Sequence, residues 1–156
     1  MQINALAIGT RMPNWVEEGV RNYQKRLPRH VDLTFQALPA AQRSSGSTQE
    51  KQKQKEGELM LKALHEPTYV IALDEHGKNW TSVELARQLE SWLANQPHVT
   101  VLIGGADGLA DSCKQRADYT WSLSSLTLPH ALVRVVLAEQ IYRAWTLVQG
   151  HPYHRE

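Results

Sequence analysis

Three stretches of this chain bring together residue types able to hold and transform a ligand. The first, IGGADGL at 103–109, places glycines at 104, 105 and 108. Glycine lets a backbone approach a ligand closely or close on itself in a tight turn, and either role suits this spacing. The spacing departs from the dinucleotide-binding fingerprint, and the loop lacks the Lys-Ser/Thr pair of a phosphate-binding P-loop. The second stretch, LSSLTLPH at 123–130, interleaves Leu123, Leu126 and Leu128 with Ser124, Ser125 and Thr127. Leucines among hydroxyls and backbone amides suit a flat heterocycle such as adenine. They suit equally a loop folded under a helix, its leucines filling core. The third stretch is the terminal HPYHRE, where His151, Tyr153, His154 and Arg155 are groups that stack on bases and pair with phosphates. Disorder is the default for so short a terminus, and the binding role stands beside it.

Two charged positions precede that tail. Arg134 interrupts an apolar run, where an unpaired charge is costly, so it requires an anionic or carbonyl partner. Glu139 and Arg143 are one helical turn apart and read as an exposed intrahelical ion pair. Arg134 and Arg143 are nine residues apart, half a turn out of phase, and form no common basic face. His30, His65, His76 and His98 are scattered without metal-ligand spacing and read as surface residues, so no metal is expected. The chain contains no Gly-x-Ser-x-Gly elbow.

These groups need a scaffold, and the apolar pattern supplies one. Short strand-like runs at 3–8, 31–37, 68–73, 99–103 and 119–123 alternate with helical patterns at about 16–27, 47–65, 81–92, 111–117 and 129–149. Ser47 with Glu50, and Thr81 with Glu84, have capping-box spacing. TYVIAL (68–73) and VTVLI (99–103) are apolar throughout, as strands covered on both faces must be. The alternation predicts an α/β domain with a mostly parallel sheet and helices on both faces, spanning 1–156 without a linker. In such sheets ligands bind beyond the carboxyl ends of strands, where Leu73 and the two loops fall. The last helix is apolar around most of its circumference, with Leu132, Val133, Val135, Val136, Leu137, Ile141, Trp145 and Leu147. A helix of that kind must be covered all round, and a second copy of the chain is the economical cover.

Composition bounds these expectations. With 156 residues, 42% hydrophobic and 21% charged, the chain can bury a core without disulfides, and its one cysteine, Cys113, forms none internally. No apolar run reaches the ~20 residues of a membrane span, and the N-terminus lacks the basic and apolar regions of a signal peptide. A soluble cytoplasmic protein is expected. The net charge of +1 announces no nucleic-acid binder, so any RNA-binding charge must be concentrated locally.

Taken together, VLIGGADGL, WSLSSLTLPHALVRVVLAEQIYRAW and HPYHRE resemble the bacterial ribosomal large-subunit pseudouridine N3-methyltransferases of the SPOUT superfamily. AIGTRMPNWVEEGVRNYQKRLP extends the likeness to the start of the chain. The resemblance implies a parallel α/β sheet with a C-terminal trefoil knot whose loops bind S-adenosylmethionine. Carried over by position, the cofactor residues are Leu73, Gly104, Gly105, Leu123, Ser124, Ser125, Leu126, Thr127 and Leu128. It also implies a homodimer through the last helix and, as substrate, a pseudouridine in the helix-69 hairpin of 23S rRNA on the assembled ribosome. Arg134, Arg143, Tyr153, His154 and Arg155 are the candidates to hold that substrate, with Arg134 also a catalytic candidate. His130, His154 or a bulk water would accept the N3 proton. A SPOUT enzyme acting on a tRNA ribose and a non-catalytic ribosome-binding factor are the alternatives.

Overall fold

The computed structural model describes residues 1–43 and 45–155. Five strands, β1 (Gln2–Ile8), β2 (Asp32–Leu38), β3 (Tyr69–Asn79), β4 (His98–Ile103) and β5 (Tyr119–Ser122), form one sheet in the order β2-β1-β4-β3-β5. All four pairings are parallel. The helices are α1 (Asn14–Gln24), α2 (Gln49–Lys62), α3 (Ser82–Asn95), α4 (Asp111–Arg116) and α5 (His130–Gln149), followed by a 3-10 turn at Pro152–Arg155. The predicted α/β class and the alternation are therefore observed.

The strand order dictates which face each helix covers. Crossovers between parallel strands are right-handed, so those stepping one way along the sheet pass over one face and those stepping back pass over the other. The steps β1 to β2 and β3 to β4 run one way, and α1 and α3 share a core of Ile3, Ala5, Ile71, Val101 and Ile103 with α5 residues Leu137, Ala138, Ile141 and Ala144. The steps β2 to β3 and β4 to β5 run the other way. Accordingly, α2 and α4 pack Met60 and Cys113 on the opposite side chains, Leu6, Ile8, Val70, Ala72 and Leu102. TYVIAL and VTVLI are apolar throughout because both of their faces meet a helix layer.

Local signals set several boundaries. The capping box of α3 is realised in full: Glu84 N donates to Thr81 Oγ1 at 3.1 Å, and Thr81 N donates to Glu84 Oε2 at 2.7 Å. The capping box expected for α2 at Ser47 and Glu50 does not form, and a one-sided cap stands one residue later. Thr48 holds the extended backbone of an N-cap and its Oγ1 accepts from Lys51 N at 3.2 Å, so Gln49 opens the helix. Strand β3, expected to stop before Asp74, continues to Asn79. Its register against β5 shifts between Leu73 and Lys78, both of which pair with Trp121. The polar DEHGKN segment carries no strand pattern; pairing with β5 alone draws it into the sheet. Gly77 is required there, since a Cβ would lie 2.8 Å from the backbone of Thr120 and Trp121.

Candidate functional site

The chain must cross from β5, at one edge of the sheet, to α5, which packs between α1 and α3. Residues 123–129 make that crossing over the carboxyl ends of β3 and β4, and this encloses a cavity of ≈ 720 Å³. Such a volume is typical of a small-molecule site. Leu73, Gly104, Gly105, Leu123, Ser124, Leu126, Thr127 and Leu128 line it, as does His130 at the first turn of α5. Ser125 does not line it; its Oγ donates to Asn79 Oδ1 at 3.4 Å. Eight of the nine residues carried over as cofactor ligands thus converge on one space. Sequence reasoning missed other lining residues, among them Lys53, Asp74, Glu75, Lys114 and Val133. The position of Asp74 and Glu75 directly after the apolar run TYVIAL was the available signal. Lys53 and Lys114, on helices of the opposite layer, offered none.

The glycines are explained by the loop's own closure. A Cβ on Gly104 would lie 2.5 Å from the carbonyl carbon of Gly108, and one on Gly105 would lie 3.0 Å from Ile8 Cγ2. Gly108 has φ +84° and its N–H donates to Gly105 O at 3.1 Å. The tight-turn role therefore holds, and it presents the loop's backbone to the cavity. The second loop is likewise tied to itself and to the far end of β3. Ser122 Oγ donates to Ser124 O at 2.8 Å, Leu126 N donates to Ser124 Oγ at 2.9 Å, and Thr127 Oγ1 donates to Glu75 Oε2 at 3.0 Å. Asn79 Nδ2 donates to Ser122 O at 3.0 Å. The hydroxyls thus hold the loop's shape, and its leucines divide the two roles anticipated for them. Leu123 packs against the main core, whereas Leu126 is 74% exposed beside the cavity.

Charges at the rim are paired. Lys114 Nζ lies 3.4 Å from Asp74, and Arg43 lies 3.3 Å from Asp107. His130 is half-buried, and its Nδ1 is buried without a hydrogen-bond partner among the described residues.

Arg134 meets the expectation of a carbonyl partner. Its Nη2 donates to Gly9 O at 2.7 Å and to Ile8 O at 3.2 Å, fastening α5 to the end of β1. Burial pushes its pKa down from the usual guanidinium value. Glu139 and Arg143 do form the i,i+4 pair, at 2.6 Å, but it is not exposed: the side chains keep only 17% and 21% of their accessibility. The tail supplies the cover. Tyr153 packs edge-on against Tyr142 at 4.7 Å, donates its hydroxyl to Glu139 Oε1 at 3.2 Å, and lies under Arg143 at 5.0 Å. Residues 152–155 are thereby ordered, against the default for a terminus, and His154 Nδ1 is buried without a partner among the described residues. Burial, then a hydrogen bond with Tyr23 and the charge of Glu139, push the Tyr153 phenol well above its usual range, so it remains a donor.

The expected site residues therefore form two groups. His130 belongs to the cavity. Arg143 lies on the second half of α5, and Tyr153 and His154, in the 3-10 turn, pack back against it; the contacts of Tyr153 are nine to thirteen residues beyond His130, about 14–20 Å along the helix axis. Arg155 follows in the same 3-10 turn and is exposed. The scattered histidines, His30, His65, His76 and His98, are all exposed. Among the described residues no group of three or more His, Cys, Asp or Glu is arranged to hold a metal ion, and no helix is long and apolar enough to cross a membrane.

Comparison with known proteins gives matches that span nearly the whole chain. The family described as "Predicted SPOUT methyltransferase" matches residues 1–154. The chain is 49% identical over 156 residues, covering 100% of both chains, to the ribosomal RNA large subunit methyltransferase H of Hahella chejuensis. Among solved structures, the SpoU methyltransferase AviRb from Streptomyces viridochromogenes aligns with TM-score 0.47 at 15% identity over 96% of this chain and 60% of its own. With a family match running from the first strand into the terminal 3-10 turn, this chain belongs to the SPOUT methyltransferases.

Proposed function

We propose that this chain is a cytoplasmic, S-adenosylmethionine-dependent methyltransferase that modifies N3 of a pseudouridine in the helix-69 hairpin of 23S rRNA on the assembled ribosome. The observation that carries the reading is the cavity beyond β3, β4 and β5, where the glycine loop and the leucine-rich loop face each other. The name of the Hahella relative, a large-subunit ribosomal RNA methyltransferase, supports the substrate class.

The residues fit the cofactor. Leu73, Leu123, Leu126 and Leu128 offer apolar surface for an adenine, the backbone of 104–108 offers polar edges, and Asp74, Lys53 and Lys114 supply both signs of charge for an amino-acid moiety. S-adenosylmethionine, when bound, supplies the electrophilic methyl carbon on its sulfonium. The chain's tasks are to align the two reactants in line and to exclude water. His130 borders the cavity with a free Nδ1, and His154 carries the same feature on the tail; these are the two side chains offered as acceptors of the N3 proton.

The tail sits too far along α5 to serve its own chain's cavity, since proton transfer needs hydrogen-bond reach. We propose that two copies pair antiparallel through α5, bringing the tail of one chain to the cavity of the other. Leu132 and Val136, half-buried and outside the chain's own core cluster, supply an apolar patch for that pairing. Tyr153, His154, Arg155 and Arg143 would then hold the base and its phosphate. Arg134, buried and bonded to the carbonyls of Ile8 and Gly9 at the end of β1, would act by fixing α5 beside the cavity. The same crossing of 123–129 fits a chain threaded into a trefoil knot, as the family resemblance implies.

The test is incubation with methyl-labelled S-adenosylmethionine and ribosomes lacking the modification, with the labelled nucleotide mapped by mass spectrometry. Label on a 23S pseudouridine base is the expected result. Label only on tRNA, or cofactor binding without transfer to ribosomes, would overturn it.

A further inference from the structure

We infer that the end of α1 and the turn after it, carrying Arg21, Lys25, Arg26 and Arg29, form a surface that grips RNA phosphates and continues the binding surface of the tail. This rests on the proposed RNA substrate and adds to it a site outside the cavity and the tail.

The charge distribution is the first support. Residues 19–31 hold four of the chain's 17 lysines and arginines and none of its 16 carboxylates, so a stretch of +4 sits in a chain of net +1 and the remainder is −3. All four side chains are exposed. Among the described residues, none of the four lies within 4.0 Å of a carboxylate. Five basic groups elsewhere are paired with carboxylates: Arg43 with Asp107, Lys53 with Glu50, Lys114 with Asp74, Arg116 with Glu66 and Arg143 with Glu139. An ordinary solvated helix face interleaves its charges, as α2 does with QEKQKQKEGE. Basic residues at a helix C-terminus also complement its dipole. That accounts for Arg21 in the last turn and Lys25 at the C-cap, but not for Arg29, five residues past the helix end at Gln24.

Arg26 gives the second support. Its guanidinium stands 5.6 Å from the ring centre of Tyr23 and 5.7 Å from that of Tyr142. A guanidinium held on two aromatic faces is already ordered and loses less freedom on meeting a phosphate. The third support is continuity. Tyr23 packs on Tyr142 at 6.2 Å, and Tyr142 on Tyr153 at 4.7 Å, so one aromatic row joins the basic stretch to the tail. RNA, with its regularly spaced phosphates, is the partner that such an unneutralised row fits. The local concentration also meets the requirement that the net charge of +1 placed on any RNA-binding reading.

The test uses the triple variant Arg21→Gln, Lys25→Gln, Arg29→Gln and measures methylation of unmodified ribosomes over a range of salt. The expected result is a KM raised about tenfold or more near physiological salt, with kcat and S-adenosylmethionine affinity within twofold of the parent. Each lost phosphate contact removes ~0.7–0.9 from the slope of log affinity against log salt, so a decrease of about two to three is expected. The variant Arg21→Lys, Arg29→Lys should restore the parent slope, since the charge is kept. Should the triple variant fail to fold, Arg29→Gln alone, beyond the helix, is expected to lower the slope by about one. An unchanged KM and slope, with the parent active on ribosomes, would overturn the inference and leave the proposed function intact. A parent inactive on ribosomes would defeat that function instead. The inference would then be read from the salt slope of binding to a fluorescent rRNA hairpin, with the same decrease expected. A change in binding to polyglutamate but not to RNA would assign the surface to an acidic protein and overturn it.

Discussion

Gly104 and Tyr153 illustrate how single residues act here through their neighbours. A methyl group on Gly104 would meet the carbonyl carbon of Gly108 at 2.5 Å, a backbone contact that no rotamer change relieves. Gly104→Ala is therefore expected to open the loop, cost about 1–3 kcal/mol of stability and weaken S-adenosylmethionine binding more than tenfold by calorimetry. Unaltered affinity would detach this loop from the cofactor site. Tyr153 makes a prediction about pH. Its folded pKa is raised above the ordinary 10.0, chiefly by burial, so above pH 10 the unfolded chain releases a proton that the folded chain retains. By linkage this stabilisation is present below pH 10 and is lost as pH rises beyond it. Tyr69 and Cys113 are shifted in the same direction, mainly by burial, so the isolating comparison is with Tyr153→Phe. Urea midpoints of the variant should fall less steeply than those of the parent between pH 9.5 and 11.5. Parallel curves would contradict the placement of the phenol.

At the scale of elements, the extension of β3 is what turns a flexible crossing into a wall. Asn79 donates to Ser122 O and accepts from Ser125, and Glu75 accepts from Thr127, so the far end of one strand holds the loop leaving another. Asn79→Ala should leave global stability within about 1 kcal/mol, because the site is exposed. Loss of the two bonds frees the loop, and about 1 kcal/mol of ordering then appears in ligand binding as a roughly fivefold rise in Kd. A titration showing equal Kd values for variant and parent would refute this positioning role. The TYVIAL run predicted the first half of β3 well. The second half was invisible because DEHGKN is polar and its partner, YTWS, lies 40 residues downstream.

At the scale of the whole molecule, α5 joins three functions: its first turn borders the cavity, its middle is core, and its second half carries the tail. Leu132 and Val136 remain outside that core, and a charge there would be trapped in the proposed interface at a cost of several kcal/mol. Val136→Glu should thus give a monomer by sedimentation velocity. It should retain S-adenosylmethionine binding and lose methyl transfer, because no partner's tail reaches the cavity. A dimeric Val136→Glu would place the interface elsewhere, and an active monomer would mean that the tail works within one chain.

Apolar periodicity by itself determined the element sequence and the two-faced cover of the central strands, since these depend on side-chain chemistry repeating at short range. The α3 capping box and the carbonyl partner of Arg134 followed for the same reason: a local pattern in one case, the cost of an unpaired charge in the other. Only the tertiary structure decided that the glycines close a turn, that β3 runs on to Asn79, and that Glu139 and Arg143 are shielded by Tyr153. It also decided that His130 and the tail lie apart along α5, and that Arg26 meets two tyrosines from different helices. Each of these depends on residues far apart in the chain meeting at one point, and no short-range pattern encodes such a meeting.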